Sequence, residues 1–232
     1  NLVEKAKKSG VKKIIYLSSQ SMYGISDSDE ELDEYKSIKN PITEYAKTKW
    51  ESEKEIIKLK ENDFIIVVLR PSTVFGVSNR IRCDIVFNNL LASAFVNNKI
   101  EIYSDGSPWR PVVHVQDVCS AILATIKAPP NVVNGESFNL GIRNGNFRVK
   151  DLAIQVQNSV KGSELVFLNK EFDPRSYKVS FNKIFDQLAS FYKPQWNLDM
   201  GAKELIDYFK EVNFTEADFR GKKCNRLKQI EY

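Results

Sequence analysis

Histidine occurs once and cysteine three times in the 232 residues, as His114 and as Cys83, Cys119 and Cys224. Cysteines that are odd in number and far apart suggest neither a disulfide framework nor a zinc knuckle. With a lone histidine between valines and acidic residues crowded into residues 27–34, no metal-ligand set is expected either. No run comes near the roughly 18 apolar residues of a membrane span, and no signal peptide is visible. A dominant charge is also lacking. The 34 basic side chains face 30 acidic ones, a balance too even for a nucleic-acid surface, so neither nucleic acid nor membrane is an expected partner. Lys222, Lys223, Arg226 and Lys228 read as a solvated tail. What is present is 42% apolar and 28% charged, enough to bury a core of one domain or one and a half, with the reducing cytoplasm as the expected compartment.

Against this background stands Tyr45-Ala46-Lys47-Thr48-Lys49. On a helix, positions four apart share a side, so Lys49 holds positive charge beside the Tyr45 hydroxyl. A tyrosine base working at neutral pH needs its pKa depressed by roughly 3 units, about 4 kcal/mol of preferential stabilisation of the phenolate. The same spacing recurs in Tyr35-Lys36-Ser37-Ile38-Lys39, but that copy follows the acidic stretch and runs into Asn40-Pro41, so a loop is expected there. Context separates the two. Residues 11–19 form a β-branched and aliphatic run that ends in Ser18-Ser19, which places Ser19 at a strand mouth. Thr43 is a plausible N-cap for a helix carrying Tyr45, Lys49, Ile56, Ile57 and Leu59. Residues 64–71 are almost uninterruptedly apolar, as in a parallel strand covered on both faces. Strand, helix and strand make one crossover unit.

The sequence resembles the extended short-chain dehydrogenase/reductase family, in particular the NAD-dependent nucleotide-sugar epimerases and dehydratases. Four motifs in order carry the resemblance over nearly the whole chain. They are Leu17-Ser18-Ser19-Gln20-Ser21-Met22-Tyr23-Gly24, the Tyr45–Lys49 motif, Leu69-Arg70-Pro71-Ser72-Thr73-Val74-Phe75-Gly76 and Trp109-Arg110-Pro111-Val112-Val113-His114-Val115-Gln116-Asp117. The family's fold implies an α/β chain that is the carboxyl-terminal portion of a Rossmann-like doubly wound parallel sheet, with a smaller α/β lobe for substrate. Residues 1–80 are expected to form the cofactor-side part and residues 81–232 mainly the nucleotide-sugar lobe, with residues of about 110–145 returning to the sheet. Absent is the glycine-rich turn where amides at a helix N-terminus hold a dinucleotide pyrophosphate, since no two of the 10 glycines stand in that arrangement. Residues 1–10 read instead as the helix before the serine strand, closed by Gly10, so three preceding strand–helix units, roughly 90 residues, are expected to be missing. The chain by itself is then expected to bind NAD poorly and to be inactive.

Further along, helices are expected at residues 84–96 and 149–160 and after Asp117 as a cap, with strands at 100–103, 109–115, 137–140, 165–168 and 177–180. The resemblance implies roles for named residues. Ser19, Tyr45 and Lys49 are catalytic, with Tyr45 and Lys49 also on the cofactor. Pro71 and Ser72 approach the nicotinamide carboxamide. Asn89 contacts the nucleotide, Arg110 clamps the diphosphate as a guanidinium fork suits phosphate, and Arg175 is a second phosphate contact. Thr73 stands where epimerases commonly have asparagine against the substrate phosphate. The family's histidine at the place of His114 has a structural role. Family members that dehydrate put acidic residues after the serine or threonine, whereas Gln20 and Ser21 cannot shuttle a proton near neutral pH. The expected activity is therefore epimerisation of a nucleotide sugar through a keto-sugar, with NAD, or alternatively NADP, as cofactor. A reductase or dehydrogenase of the same fold is the second reading, and a non-catalytic cofactor-binding regulator the third. The complete protein is expected to be a homodimer through residues 43–61 and 1–9. The residues leave the base, the sugar and the oxidised carbon open.

Overall fold

The structure is a computed structural model that describes residues 1–26, 30–168 and 176–229. The chain runs through α1 (Leu2–Lys8), β1 (Lys13–Leu17), a 3-10 turn (Gln20–Tyr23), β2 (Glu31–Leu32), α2 (Glu44–Ile57), β3 (Ile65–Pro71), β4 (Thr73–Phe75), α3 (Val86–Asn97), β5 (Lys99–Ile102) and β6 (Trp109–His114). It continues through α4 (Val115–Lys127), α5 (Pro130–Val133), β7 (Glu136–Leu140), β8 (Asn146–Arg148), α6 (Val149–Ser159), β9 (Glu164–Phe167), β10 (Lys178–Val179), α7 (Asn182–Gln187), α8 (Leu198–Glu211) and α9 (Glu216–Arg220) to a last 3-10 turn (Leu227–Gln229). None of the helices among the described residues is long and apolar enough to cross a membrane.

A parallel sheet in the order β1-β3-β7 positions the site. β3 carries Ile65, Ile66, Val67, Val68 and Leu69 and is buried at every residue, because it pairs on both sides and is covered on both faces. Among the described residues β1 pairs with β3 alone, and none of its residues is fully buried. β4, β6 and β8 form a second small sheet, and β5 with β9 and β10 with β2 make two-stranded ones.

Two apolar cores lie on these sheets. One gathers Val67 and Leu69 of β3, Phe138 and Leu140 of β7, Val118 and Ala121 of α4, and Ile184 and Phe185 of α7. The other gathers Phe87 and Leu91 of α3, Leu152 and Val156 of α6, and Ala202, Leu205 and Phe209 of α8. α8 is a helix that the sequence reading did not assign, although Leu198, Ala202, Leu205 and Phe209 recur at helical spacing and are buried. Gly201 lets it approach, since a Cβ there would stand 2.3 Å from the Phe75 ring.

Two local expectations need correction. Asp117 does not cap α4. That role falls to His114, whose Nδ1 accepts from the Gln116 N–H at 3.3 Å, and Asp117 sits in the first turn. Its carboxylate reaches across instead to accept from Gln195 N at 3.0 Å and Trp196 N at 3.1 Å. α3 begins at Val86, two residues later than expected, while Asp84 is held by Arg82 at 2.8 Å.

His114 is fully buried, stacked on Trp196 at 3.8 Å and edge-on to Phe75. Its Nε2 lies 2.9 Å from Glu204, which also accepts from Val77 N, so Nε2 carries the proton and Nδ1 accepts. Burial pulls its pKa below the ordinary value despite Glu204. Gly76 takes φ +108 against this ring, and a Cβ there would fall 2.3 Å from Nε2.

Candidate active site

Ser19 leaves the carboxyl end of β1 in extended conformation and caps the 3-10 turn, its Oγ accepting from Ser21 N at 3.2 Å and lying 2.9 Å from Ser21 Oγ. Ser18 N still donates to Leu69 O at 2.8 Å, so the β1–β3 ladder carries on up to the residue before Ser19. α2 starts where Thr43 Oγ1 accepts from Ala46 N at 3.1 Å, which puts Tyr45 in the first turn. Tyr45 is 56% exposed. Lys49, one turn on, donates to Leu17 O at 2.7 Å and lies over the Tyr16 ring at 5.1 Å. Burial lowers the Lys49 pKa, and it raises that of Tyr16, on which the Tyr45 phenol also acts electrostatically. Tyr45, Lys49 and Ser19 thus gather at one end of β1.

Pro71 ends β3 beside that same end, and Ser72 N donates to Leu140 O at 2.9 Å. Gln20, 1% exposed, donates from Nε2 to Arg70 O and Leu140 O, both at 2.9 Å, and so staples the turn to the ends of β3 and β7. Three buried acceptors here, Ser18 Oγ, Gln20 Oε1 and Ser72 Oγ, have no hydrogen-bond partner among the described residues. Buried polar atoms left without a partner are uncommon and ask for a cause.

The residues expected on the substrate side divide. Thr73 opens β4 directly after Ser72 and pairs with Val112 of β6. Arg110 lies two residues before Val112 on β6, hence on the same side of that strand, and its Nη1 donates to Trp109 O at 2.9 Å. The Arg148 guanidinium and the Lys178 ammonium lie over the Trp109 ring at 5.0 and 5.2 Å, adding two cations that the sequence reading did not name. Asn89 of α3 is part-buried, and its Nδ2 donates to Cys83 O at 2.8 Å. Arg175 falls in residues 169–175, outside the described residues.

The Tyr35 copy of the spacing lies in bends, as expected from its Asn40-Pro41 neighbour. There Tyr35 donates to Glu136 at 2.5 Å, and Lys39 turns to the Glu34 and Ser37 carbonyls.

Beneath the site lies a buried ion pair that sequence reasoning missed. Arg70 and Glu53, 3% and 2% exposed, meet through Arg70 Nε at 3.0 Å and Nη2 at 2.5 Å. Arg70 Nη1 also donates to Tyr23 Oη at 3.2 Å, and Tyr23 donates to Asn139 Oδ1 at 3.0 Å. Burial pushes the Tyr23 phenol up to about 12. The signal was there: an arginine inside an apolar strand needs an acid on the helix that covers it.

Comparison with known proteins places the chain. The pattern of the NAD-dependent epimerase/dehydratase family matches residues 1–141. The dTDP-D-glucose 4,6-dehydratase of Mus musculus is 32% identical over 221 residues, covering 90% of this chain and 59% of the relative. A UDP-glucuronate 4-epimerase of Thermodesulfobacterium geofontis is 23% identical, covering 91% and 63%. Among solved structures, the UDP-glucuronic acid 4-epimerase of Bacillus cereus, in complex with UDP-glucuronic acid and NAD, superposes with a TM-score of 0.76 at 24% identity, covering 91% of this chain and 65% of that one. The chain spans about three fifths of the length of these curated relatives. It belongs to the NAD-dependent epimerase/dehydratase family.

Proposed function

We propose that this chain is the catalytic and substrate-gripping part of an NAD-dependent epimerase of a nucleotide-activated sugar. The observation that carries the reading is the gathering of Ser19, Tyr45 and Lys49 at the carboxyl end of β1, beside Pro71 and Ser72. The unpartnered Ser72 Oγ and Gln20 Oε1 fit a carboxamide that arrives from outside the chain. When bound, NAD, or alternatively NADP, supplies the hydride acceptor for the sugar carbon.

The chain's own residues do the rest. Tyr45 as phenolate takes the proton of the sugar hydroxyl, and its exposure leaves the phenol open to a substrate. Ser19 Oγ donates to the same oxygen. Lys49 stabilises the phenolate, and its protons not used by Leu17 O reach toward the cofactor ribose. Thr73, Arg110 and Arg175 hold the nucleotide diphosphate, and Asn89 joins them by releasing Cys83 O. The keto-sugar then turns over within this grip, so that reduction from its other face inverts the carbon. The complete protein acts in the cytoplasm as a homodimer through α1 and α2, while the present stretch alone binds NAD weakly.

Dehydration is disfavoured even though the mouse relative is named for it. Losing a hydroxyl needs a proton donor and acceptor beside the reacting carbon, and Gln20 offers a neutral amide already bonded to two carbonyls. Incubation of the complete protein with NAD and a panel of UDP- and dTDP-sugars, followed by NMR, separates the cases. Epimerisation predicts an inverted sugar with no net change in nicotinamide absorbance. A 4-keto-6-deoxy product contradicts the reading in favour of a dehydratase, and stoichiometric oxidation or reduction of the nicotinamide contradicts it in favour of a dehydrogenase or reductase.

A further inference from the structure

Cys83 and Cys224, remote in sequence, meet where the tail after α9 packs against the segment that leads into α3. Each is 2% exposed, and neither is in a disulfide. Cys83 N donates to Cys224 O at 2.9 Å, a backbone bond that brings the two Cα atoms near the span of a disulfide, roughly 4.4–6.8 Å. The packing of the two segments puts the thiols close enough for each to act on the other's titration, and burial raises the pKa of both. Cys119, on the surface of α4, has neither a partner thiol nor burial.

The immediate sequence neighbours of the pair are cationic. A cleft of about 120 Å³ is lined by Arg80, Ile81, Arg82, Lys223, Arg226 and Gln229. Its four cations face two carboxylates: Asp84, bound to Arg82 at 2.8 Å, and Asp218, 3.9 Å from Lys223. Among the described residues the cleft is therefore net positive, with Arg80 donating to the neutral Gln229. The short tail is a surface segment, so a small local opening brings its thiol to that cleft.

We propose that Cys83 and Cys224 form a reversible dithiol/disulfide site, oxidised by an anionic low-molecular-weight disulfide of the glutathione type that the neighbouring cations attract. Cys224 thiolate attacks one sulfur of the reagent, forming a mixed disulfide and releasing one thiolate. Cys83 then gives up its proton to solvent and attacks Cys224 Sγ, expelling the second thiol. Two protein thiols are oxidised and one reagent disulfide is reduced to two thiols, so electrons and sulfur balance. Cys224 goes first because it lies on the short tail, whose local opening relieves the burial that keeps its thiol protonated, whereas Cys83 leads directly into α3. The consequence reaches the loop leaving β4. Cys83 O accepts from Asn89, and Asn88 bridges Arg82 O at 2.9 Å and Gly76 N at 3.2 Å, so the disulfide would fasten the tail to residues 76–89.

The test is equilibration of the purified protein in graded mixtures of glutathione and glutathione disulfide, then alkylation and peptide mass spectrometry. A peptide pair joining Cys83 to Cys224 is expected, with Cys119 carrying at most a mixed disulfide, and the oxidised protein should melt roughly 5 °C higher. That rise should be absent in Cys224→Ser, which keeps the fold because serine is of similar size. Cys83 and Cys224 remaining fully alkylatable after prolonged oxidation, while Cys119 is modified, would overturn the site. The electrostatic part is read from rates at low salt: oxidation by glutathione disulfide should be about ten-fold or more faster than by cystamine, a cationic disulfide. Equal rates would overturn the assignment of an anionic oxidant.

Discussion

Tyr45, Lys49 and Glu53 stand four residues apart along α2, and the two ends of this stripe live in different surroundings. At the amino end Tyr45 is more than half exposed and Lys49 has one carbonyl and one ring for company. At the other end Glu53 is sealed against Arg70 and Ser137, with Arg70 in turn bonded to Tyr23. A four-residue step advances about 400° around a helix, so each step turns the stripe by about 40° and two steps carry it from solvent into the core. One helix thus separates duties. Its inner end is fixed by hydrogen-bonded charge, and its outer end is left open for chemistry.

The largest effect is expected at the fixed end. Glu53→Ala leaves the Arg70 guanidinium buried without its acid and should cost about 3–5 kcal/mol in urea unfolding. Adding Arg70→Met should recover most of that loss. A single-variant loss below about 1 kcal/mol would mean that the pair does not hold α2. Next comes the helix start, where Thr43→Ala removes the cap on Ala46 N and should cost about 1 kcal/mol by the same measurement.

A smaller, pH-dependent effect follows from Glu34, whose backbone carbonyl accepts from Arg70 and whose carboxylate accepts from Asn139 N. Burial holds its carboxyl above the ordinary 4.5. The folded state therefore takes up the proton first, and Glu34 adds stability as pH falls through its folded pKa, with the gain complete below 4.5. His114 acts oppositely: its pKa is lowered from 6.5, so below that pH the unfolded chain protonates first and stability falls. Comparison with Glu34→Gln isolates the first effect, and wild type should gain on the variant as pH falls from 7 to 4.5. A gap that stays constant across that range would contradict the burial of a charged Glu34. The smallest effect belongs to the open end, where Tyr45→Phe should change stability by less than about 0.5 kcal/mol in the same urea titration.

Much of this was legible in the sequence. Residues 64–71 announced a two-face-covered strand, Thr43 announced a helix start, and Pro41 told the Tyr35 copy from the Tyr45 copy, because local chemistry alone decides each of these. The Arg70–Glu53 pair was not read, since its meaning lies in which helix covers which strand, and that is settled by tertiary packing. Asp117 misled for the same reason. An aspartate near a helix start is usually a cap, but here the backbone of Gln195 and Trp196, far along the chain, takes its carboxylate. The bond from the Asn89 amide to Cys83 O was likewise not legible, since it depends on how the segment before α3 folds back on the helix. Arg110 and Thr73 lie on the neighbouring strands β6 and β4, an adjacency that only the pairing of those strands creates.

The most direct test of the open end as the site of chemistry is turnover of the complete protein with Tyr45→Phe and Tyr35→Phe side by side. The account predicts that Tyr45→Phe lowers the rate by about 10²–10⁴-fold with the fold intact, while Tyr35→Phe retains near wild-type turnover. Near wild-type turnover in Tyr45→Phe would contradict it.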